Sequence, residues 1–321
     1  MATEFELIRR YFSRPTPSAV LGAGDDCALL RPSLGMQLAV STDMLVEGRH
    51  FPPGTDARRL GHKSLAVNLS DLAAMGADAR WMLLAIALPQ PDEGWIAAFA
   101  DGLYALADSV GAELVGGDTT RGPLCISITV LGELPVGLAL RRDGANAGDD
   151  VWLSGSTGDA ALGLAHLQKR IELSAPAAAN CIDRLELPQA RLELGGRLRG
   201  IASAAIDISD GLLADLGHVL ESSGVAARVE LAKLPRSEAL RSCGNAALAE
   251  ECLLAGGDDY ELLFSAPAAS RGDVAAIGRD IGVSLTRIGE ILVGKPRAQV
   301  VREDGSVLAF TRGGFDHFAP A

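Results

Sequence analysis

Five short apolar runs, each predicting a strand, end in a turn that carries aspartate together with glycine or serine. The five turns are Gly24-Asp25-Asp26, Ser41-Thr42-Asp43, Gly116-Gly117-Asp118, Asp207-Ile208-Ser209-Asp210-Gly211 and Gly256-Gly257-Asp258-Asp259. A strand gives such a turn rigid support, and a glycine lets a phosphate group approach the backbone closely. Each turn by itself is ordinary turn chemistry, but their recurrence favours one shared site.

A sixth aspartate, Asp71, lies on a predicted helix that begins near Thr55 or Asp56 and ends at Gly76. Threonine and aspartate are good N-cap residues, and glycine commonly follows the last turn of a helix. Two stripes share the helical spacing: an apolar one of Leu65, Leu69 and Leu72, and a polar one of Ser64, Asn68 and Asp71. If the polar stripe is buried, Asp71 must be paired or bound to metal; the alternative is a stripe that faces water.

The formal net charge of −12 argues against nonspecific binding to nucleic acid or to a membrane surface. A bare polyphosphate would be repelled as well, so metal cations must accompany one if it binds. The chain of 321 residues has 48% hydrophobic and 22% charged residues, which is a globular balance. It shows neither a signal peptide nor an apolar run near the roughly 20 residues of a membrane span, so we expect a cytoplasmic protein.

The order of predicted strands and helices, with hints of antiparallel pairing, indicates two domains of α+β or α/β organisation. The segment Gly144 to Asp150, rich in Gly, Asp and Asn, marks the approach to their boundary. Strands are predicted over Cys27 to Leu30 and Leu38 to Ser41, and an amphipathic helix over Asp92 to Val110. Residues 171–189, with two prolines, are predicted to be a loop.

Aspartate oxygens are hard ligands that suit Mg²⁺ or Mn²⁺, and several such ions suit the neutralisation of a triphosphate during phosphoryl transfer. No His/Cys cluster favours zinc, and the five scattered cysteines, which lack a C-x-x-C pair, predict reduced packing residues. The G-x-x-x-x-G-K-[ST] loop, the protein-kinase motifs, the EF-hand loop and the G-x-S-x-G elbow are all missing.

Three side chains outside the aspartate turns are further candidates on their chemistry. Arg142, next to Arg141, either reaches a phosphate or is a solvated linker charge. His50 is a single loop histidine, a type that is more often structural or solvated than functional. Phe315 either stacks on an aromatic substrate ring or anchors the C-terminal segment.

Seven motifs occur in order along the chain: Gly-Asp-Asp-Cys-Ala (24–28), Ser-Thr-Asp (41–43), Val-Asn-Leu-Ser-Asp-Leu-Ala-Ala-Met-Gly-Ala (67–77), Gly-Gly-Asp-Thr-Thr-Arg-Gly (116–122), Ile-Asp-Ile-Ser-Asp-Gly (206–211), Gly-Gly-Asp-Asp-Tyr-Glu-Leu (256–262) and Gly-Phe-Asp-His-Phe (314–318). Together they resemble the thiamine-monophosphate kinase family, part of the ATP-binding superfamily of aminoimidazole ribonucleotide synthetase and selenophosphate synthetase. Two positions depart from the family pattern: Asp258 stands where Glu is more common, and Phe315 stands where Trp or Tyr is common.

The resemblance implies a two-domain α+β or α/β fold. Residues 1–138 would bind metal and ATP and form a β-barrel across a homodimer, and residues 139–321 would form an α/β sandwich that completes the ATP and substrate cleft. The γ-phosphoryl group of ATP would pass directly to the phosphate of thiamine monophosphate, giving thiamine diphosphate. That acceptor is already anionic, so the rate would come from positioning and charge neutralisation and no general base is required.

The resemblance also implies roles for individual residues. Several Mg²⁺ ions would be held by Asp26, Ser41, Thr42, Asp43, Asp71, Asp118, Asp207 and Asp210, with Asp43, Asp71, Asp118 and Asp210 as the catalytic set. ATP would contact Gly117, Asp118, Arg142 and Ser209, and thiamine monophosphate would contact His50, Asp258 and Phe315. Two alternatives stay open: an ATP-dependent enzyme of the same superfamily with a different acceptor, and a non-catalytic regulator that binds metal or nucleotide.

Overall fold

Internal contacts divide the chain into two units in the computed structural model, which describes residues 3–309. One unit comprises Met1–Leu72 and Ala77–Gly137, and the other comprises Ala73–Gly76 and Leu138–Ala321. Each unit has one β-sheet accompanied by helices, so the fold has two α/β domains. Phe315, a predicted substrate contact, lies outside the described residues.

The first unit has a four-stranded sheet in the order β1-β4-β2-β3. Its strands are β1 (Met36–Val46), β2 (Asp78–Leu88), β3 (Glu113–Arg121) and β4 (Cys125–Pro135). Its helices are α1 (Glu4–Leu7), which continues into a π-helical turn over Ile8–Phe12, α2 (Ala57–Ala74) up to the unit boundary, and α3 (Glu93–Val110). Strand β4 is antiparallel to β1 and β2, while β2 and β3 are parallel, which leaves β1 and β3 at the edges.

Helices α2 and α3 begin and end where the sequence predicts. Helix α3 follows Asp92, whose carboxylate accepts two backbone N–H groups of the first turn, and it stops at Gly111 in the left-handed conformation. Helix α2 follows Asp56, whose carboxylate accepts the N–H of Arg59 at 2.9 Å, and Gly76 lies just beyond its end with a φ of 68°. Both predicted helices are therefore confirmed.

Two glycines let α2 and α3 approach each other at backbone distance. A Cβ added at Gly61 would lie 2.1 Å from the carbonyl oxygen of Phe99, and one added at Gly102 would lie 1.8 Å from that of Arg58. Real Cβ atoms cannot come this close, so only glycine fits at either position. This contact fixes the helix that carries Asp71.

The second unit has a six-stranded mixed sheet in the order β10-β7-β9-β5-β8-β6. Its strands are β5 (Asp149–Ser154), β6 (Ala204–Asp207), β7 (Ala226–Glu230), β8 (Leu262–Pro267), β9 (Leu285–Leu292) and β10 (Arg297–Val301). Its helices are α4 (Asp159–Leu167), α5 (Ala175–Glu186), α6 (Leu192–Leu198), α7 (Leu212–Ser223), α8 (Glu238–Ser242), α9 (Ala246–Ala255) and α10 (Arg271–Ile281), with 3₁₀ turns at Leu231–Lys233 and Ala268–Ser270.

Apolar clusters bury both faces of this second sheet. Ile206 and Leu263 belong to one cluster, while Ala205 and Phe264, their neighbours along the same strands, belong to the other. Successive side chains of a strand point to opposite faces, so the sheet lies between two apolar layers. This explains why β6 and β8 are continuous apolar runs in the sequence.

Two aspartate motifs that the sequence predicts as turns lie inside strands. Ser41-Thr42-Asp43 is in the middle of β1, and Gly116-Gly117-Asp118 is in the middle of β3. Both strands are edge strands of the first sheet, where polar residues and glycine are tolerated, and that composition is also typical of turns. The predicted strand ends at these motifs are therefore wrong.

Two further predicted segments are also wrong. Residues 171–189, predicted to be a loop, contain α5, in which Pro176 occupies the first turn, where proline is tolerated. The predicted strand from Cys27 to Leu30 forms only an isolated bridge between Leu21 and Leu29. In both places local composition is a weaker guide than tertiary contacts.

None of the helices in the described part of the chain combines the length and the hydropathy that a bilayer span requires. All five cysteines are free thiols. Cys181 and Cys252 are buried, as predicted for packing residues, whereas Cys27 is exposed and the prediction is wrong for it.

Candidate functional site

The polar stripe of α2 faces strand β1 rather than water. Ser64 and Asn68 are each 1% exposed, and Asp71 is partly buried. The hydroxyl of Ser41 donates to the Asp71 carboxylate at 2.5 Å, and Asn68 Oδ1 accepts the N–H of Asp43 at 2.9 Å. The alternative of a stripe that faces water is therefore wrong, and the partly buried carboxylate of Asp71 has a hydrogen-bond donor in Ser41.

Strand β1 directs its polar side chains to alternate faces. Ser41 and Asp43 are partly buried on the α2 side, whereas Thr42 is exposed and its hydroxyl donates to the Ile128 carbonyl of β4 at 3.0 Å. Because β1 is an edge strand, its outward N–H groups need acceptors outside the sheet, and Asn68 provides one for Asp43. The structure therefore brings Ser41, Asp43 and Asp71 together and directs the Thr42 side chain elsewhere.

Gly117 and Asp118 lie on β3, at the other edge of the same sheet. The strand register aligns Asp43 with Ile128, Ile128 with Leu84 and Leu84 with Gly117. Three strand spacings separate the two edges, which is about 14 Å, so Asp118 and Asp43 of one chain are too far apart to share a metal ion.

Gly117 has a φ of 147°, and a Cβ there would lie 1.8 Å from the Leu84 carbonyl oxygen, so this position requires glycine.

A carboxylate that the sequence analysis does not single out organises the turn after β6. Asp215 of α7 is 3% exposed, and its Oδ2 accepts the N–H groups of Ser209, Asp210 and Gly211 at 3.1 Å each. Burial, and then the charges of Asp207 and Asp210, raise the pKa of Asp215 to about 7. Free N–H groups at the start of a helix would form an anion-binding site. Because Asp215 occupies all three, the groups of this turn that are left for a ligand are the carboxylates of Asp207 and Asp210.

A second turn, at residues 256–261, pairs with the first through backbone hydrogen bonds. The N–H of Asp258 donates to the Ser209 carbonyl at 2.9 Å, and the N–H of Tyr260 donates to the Ile208 carbonyl at 2.8 Å. Asp258 and Tyr260 have φ values of 66° and 51°, and the Tyr260 hydroxyl donates to Asp258 Oδ1 at 3.0 Å. Such left-handed conformations cost about 1–3 kcal/mol each and persist only where the surroundings hold them. The structure thus places Asp258, a predicted substrate residue, beside Ser209, a predicted ATP residue.

Three other predicted site residues lie in loops or turns. His50 follows β1, and its Nδ1 accepts the N–H of Val46 at 3.0 Å. Arg142 is exposed, and its carbonyl oxygen accepts the hydroxyl of Ser223 at 2.8 Å. Asp26 is exposed in the segment before β1. Their predicted roles stay predictions.

The donor set fits Mg²⁺ that is held together with a nucleotide. Among residues 3–309, no three His, Cys, Asp or Glu side chains are placed to hold one metal ion. Mg²⁺ is usually bound through one or two carboxylates, and waters and substrate phosphates complete its coordination. Asp71 with the Ser41 hydroxyl supplies such a partial set, and Asp43 lies two residues after Ser41 on the same face of β1. Asp207 and Asp210 both lie close enough to Asp215 to raise its pKa, so they supply a second partial set of oxygen ligands.

Comparison with known proteins gives one consistent result along the whole chain. Residues 24–134 match the AIR synthase related protein, N-terminal domain, and residues 146–301 match the AIR synthase related protein, C-terminal domain. The chain is 47% identical to the thiamine-monophosphate kinase of Salmonella typhimurium, with 98% of each chain covered. The chain belongs to the thiamine-monophosphate kinase family. The resemblance seen in the seven motifs is therefore confirmed.

Solved structures of the thiamine-monophosphate kinase family share this fold. The crystal structure of the protein from Stenotrophomonas maltophilia K279a is 48% identical, has a TM-score of 0.84, and the match covers 91% of this chain and 92% of that one. The structure of AaThiL complexed with AMPPCP and TMP is 31% identical, has a TM-score of 0.78, and the match covers 90% and 89%. The predicted two-domain α/β fold is that of the family.

Proposed function

We propose that this chain transfers the γ-phosphoryl group of ATP to the phosphate of thiamine monophosphate, which gives thiamine diphosphate. Membership of the thiamine-monophosphate kinase family supports this, as does the AaThiL complex with AMPPCP and TMP. The observation that carries the proposal is the 2.9 Å hydrogen bond from the Asp258 N–H to the Ser209 carbonyl, which joins the proposed substrate residue to a proposed ATP residue. Direct transfer requires donor and acceptor to be held side by side.

We assign roles to the individual residues on the same basis. Mg²⁺ ions would be held by Asp26, Ser41, Thr42, Asp43, Asp71, Asp118, Asp207 and Asp210, with Thr42 acting through its backbone carbonyl because its hydroxyl is bonded to Ile128 on the other face of β1. ATP would be held by Gly117, Asp118, Arg142 and Ser209, and thiamine monophosphate by His50, Asp258 and Phe315. When bound, the ions would neutralise the developing charge on the transferred group. The hard oxygen chemistry of the acidic residues supports their part of the assignment.

The chain's own part in the reaction is positioning and electrostatics. An anionic phosphate acceptor needs no general base, and the sequence shows no nucleophile motif that would support a covalent intermediate. Ser41 and Asn68 fix Asp71 and Asp43 at the edge of the first sheet. Asp215 fixes the backbone of the second acidic turn through three N–H bonds. Preorganised groups of this kind need no reorganisation when charge develops during transfer.

We also propose a homodimer in which the exposed face of the first sheet is the interface. On this face Leu38, Val40 and Met44 of β1 are 39%, 60% and 55% exposed, and Leu83 of β2 is 36% exposed. Large apolar side chains gathered on one sheet face indicate an interaction surface, and a second copy covering β1 would close the sheet into a β-barrel. Residues 1–138 would then provide dimerisation, metal and ATP binding, and residues 139–321 the remaining ATP and substrate contacts, in the cytoplasm where ATP is supplied.

The interface is tested with charged substitutions on this face. Val40→Lys combined with Met44→Lys should convert a dimer to a monomer in sedimentation velocity, because lysines would be buried without partners. Val293→Lys is the matched control, since Val293 is 90% exposed in the second unit. A double variant that sediments as the wild type does would refute this interface.

Enzymatic activity is tested by ADP release in a coupled assay. We expect release that requires ATP, Mg²⁺ and thiamine monophosphate together, with unphosphorylated thiamine, which lacks the acceptor group, as the inactive control. Release with another acceptor but not with thiamine monophosphate would indicate a different enzyme of the superfamily. Nucleotide binding without ADP release would indicate a regulator.

A further inference from the structure

A buried carboxylate outside the assigned site accepts four hydrogen bonds from three side chains. Glu261, directly before β8, is 1% exposed. Arg191 donates to both of its oxygens at 2.7 and 2.6 Å, Arg184 of α5 donates at 2.7 Å, and the hydroxyl of Ser154 at the end of β5 donates at 2.6 Å. We call these four residues the Glu261 cluster.

The backbone of Glu261 is part of the pairing between the two turns. Its carbonyl oxygen accepts the N–H of Ile208 at 2.9 Å, one residue after Asp207 and one before Ser209. On its other side, the N–H of Leu262 donates to the Ser154 hydroxyl at 2.8 Å. The side-chain bonds hold Glu261 in place, and its backbone carbonyl in turn holds Ile208 within the turn from Asp207 to Gly211.

The glycine-rich turn after β5 is shaped around this carboxylate. Gly155 has a φ of 55°, and a Cβ there would lie 2.2 Å from Glu261 Oε1. Any larger residue would push the carboxylate out of its place between the arginines, in addition to straining the backbone. The sequence thus keeps space for the Glu261 side chain in one position only.

Stability alone does not explain such a cluster. A buried ion pair gains little over well-packed apolar residues of similar volume, because removing two charges from water costs about as much as their attraction returns. A carboxylate clamped by two arginines does, however, have one defined geometry, since the bidentate arginine fixes its orientation. We propose that Glu261 is a positioning residue, held by Arg184, Arg191 and Ser154, for the turn that carries Asp207, Ser209 and Asp210. Its kinetic consequence rests on the proposed function.

The chain contains a matched control for this arrangement. Asp150, at the start of β5, is 1% exposed and is bonded by Arg271 at 2.5 and 2.8 Å and by Arg287 at 2.5 Å. It is likewise a buried carboxylate bonded by two arginines, here Arg271 of α10 and Arg287 of β9. Ser154 lies four positions further along β5, so Asp150 is about 13 Å along the strand from Ser154 and away from the aspartate turn.

The test compares Glu261→Gln and Arg191→Gln with Asp150→Asn and Arg287→Gln. Arg191→Gln leaves Glu261 paired with Arg184 and Ser154, so it provides a folded variant if Glu261→Gln does not fold. The free energy of unfolding is first measured for each variant that folds. Two further quantities are then compared: the amide hydrogen exchange of residues 207–211, and kcat with KM for thiamine monophosphate. The exchange measurement needs no ligand and is independent of the proposed reaction.

In both cluster variants, we expect the amides of residues 207–211 to exchange at least about tenfold faster than in the wild type. We also expect kcat to fall about 10- to 100-fold, with little change in KM for thiamine monophosphate. The Asp150 and Arg287 variants should keep the wild-type exchange in this segment and the wild-type kcat, even where they lose as much stability. Equal exchange and kcat in the two sets, or wild-type exchange of 207–211 in the cluster variants, would overturn the proposal. If the wild type releases no ADP, the proposed function fails, and the exchange result alone decides the positioning role.

Discussion

Replacing Asn68 with alanine should lower the free energy of unfolding by about 3 kcal/mol. Asn68 is 1% exposed and makes two hydrogen bonds: its Oδ1 accepts the N–H of Asp43 at 2.9 Å, and its Nδ2 donates to the Ser64 carbonyl at 2.9 Å. Each neutral hydrogen bond contributes about 1 kcal/mol net, and the partly buried N–H of Asp43 loses its acceptor at a further cost of about 1 kcal/mol.

Urea denaturation followed by tryptophan fluorescence measures this change. With a slope of about 2 kcal/mol per molar urea, a loss of about 3 kcal/mol lowers the midpoint by about 1.5 M. Asn146→Ala is the matched control, because Asn146 is exposed and its Nδ2 also donates to a backbone carbonyl, that of Gly144 at 2.8 Å. Its removal should change the free energy of unfolding by less than about 0.5 kcal/mol.

The same substitution should lower turnover, because Asp43 would lose the contact that fixes its backbone at the edge of β1. Reduced turnover with a lowered urea midpoint is the expected pair of results. A midpoint equal to that of the wild type would refute the argument that the polar stripe of α2 holds this edge strand.

Three other substitutions test separate parts of the account. Asp71→Asn should lower kcat more than about 100-fold while the urea midpoint stays near that of the wild type, and near-normal steady-state kinetics would contradict the metal role. Gly117→Ala should lower the free energy of unfolding by more than about 3 kcal/mol, because its Cβ would clash with the Leu84 carbonyl. Gly111→Ala is the control: its Cβ has free space, so only the left-handed backbone is strained, at a cost of about 1 kcal/mol. Equal thermal midpoints for the two variants would contradict this. Burial raises the pKa of Asp259 well above 3.8, so the folded state keeps a proton that the unfolded chain releases, and stability should fall as pH rises above about 4. Asp259→Asn should remove that dependence, so its stability relative to the wild type should increase from pH 5 to pH 8; a constant difference in urea midpoints would show that Asp259 does not titrate in this way.

Local periodicity and end signals predicted the elements that carry one half of the site. The spacing of Leu65, Leu69 and Leu72 predicted α2, and the same spacing placed Asn68 and Asp71 on one stripe. Such predictions succeed because a helix face is a property of residues three and four apart. Which way the stripe faces depended on β1, and only the structure shows that contact.

Contacts between distant residues account for most of what the sequence did not predict. Glu261 meets Ser154, Arg184 and Arg191 across 107, 77 and 70 residues, and no local pattern marks those partners. Asp215 is closer, four residues after Gly211, and could have been found as a carboxylate placed to accept N–H groups at the start of α7. It was missed because it also fits the polar face of an ordinary amphipathic helix.

Strand ends were predicted poorly for a related reason. At the edge of a sheet, a strand can contain serine, threonine, aspartate and glycine, because part of its backbone faces solvent or another element. Those residues are also the commonest turn formers, so composition could not separate a turn from the middle of β1 or β3. The pairing of β1 with β4 over eleven residues, Met36 to Val46, decides the matter.

Transfer of the γ-phosphoryl group of ATP to the phosphate of thiamine monophosphate is the central claim, and ³¹P NMR of the reaction products tests it most directly. The protein is incubated with ATP, Mg²⁺ and thiamine monophosphate, and the spectrum is followed until ATP is consumed. The account predicts the two coupled resonances of thiamine diphosphate, appearing in equal amount with ADP and without inorganic phosphate. ATP consumed to ADP and inorganic phosphate while the thiamine monophosphate resonance stays unchanged would contradict it.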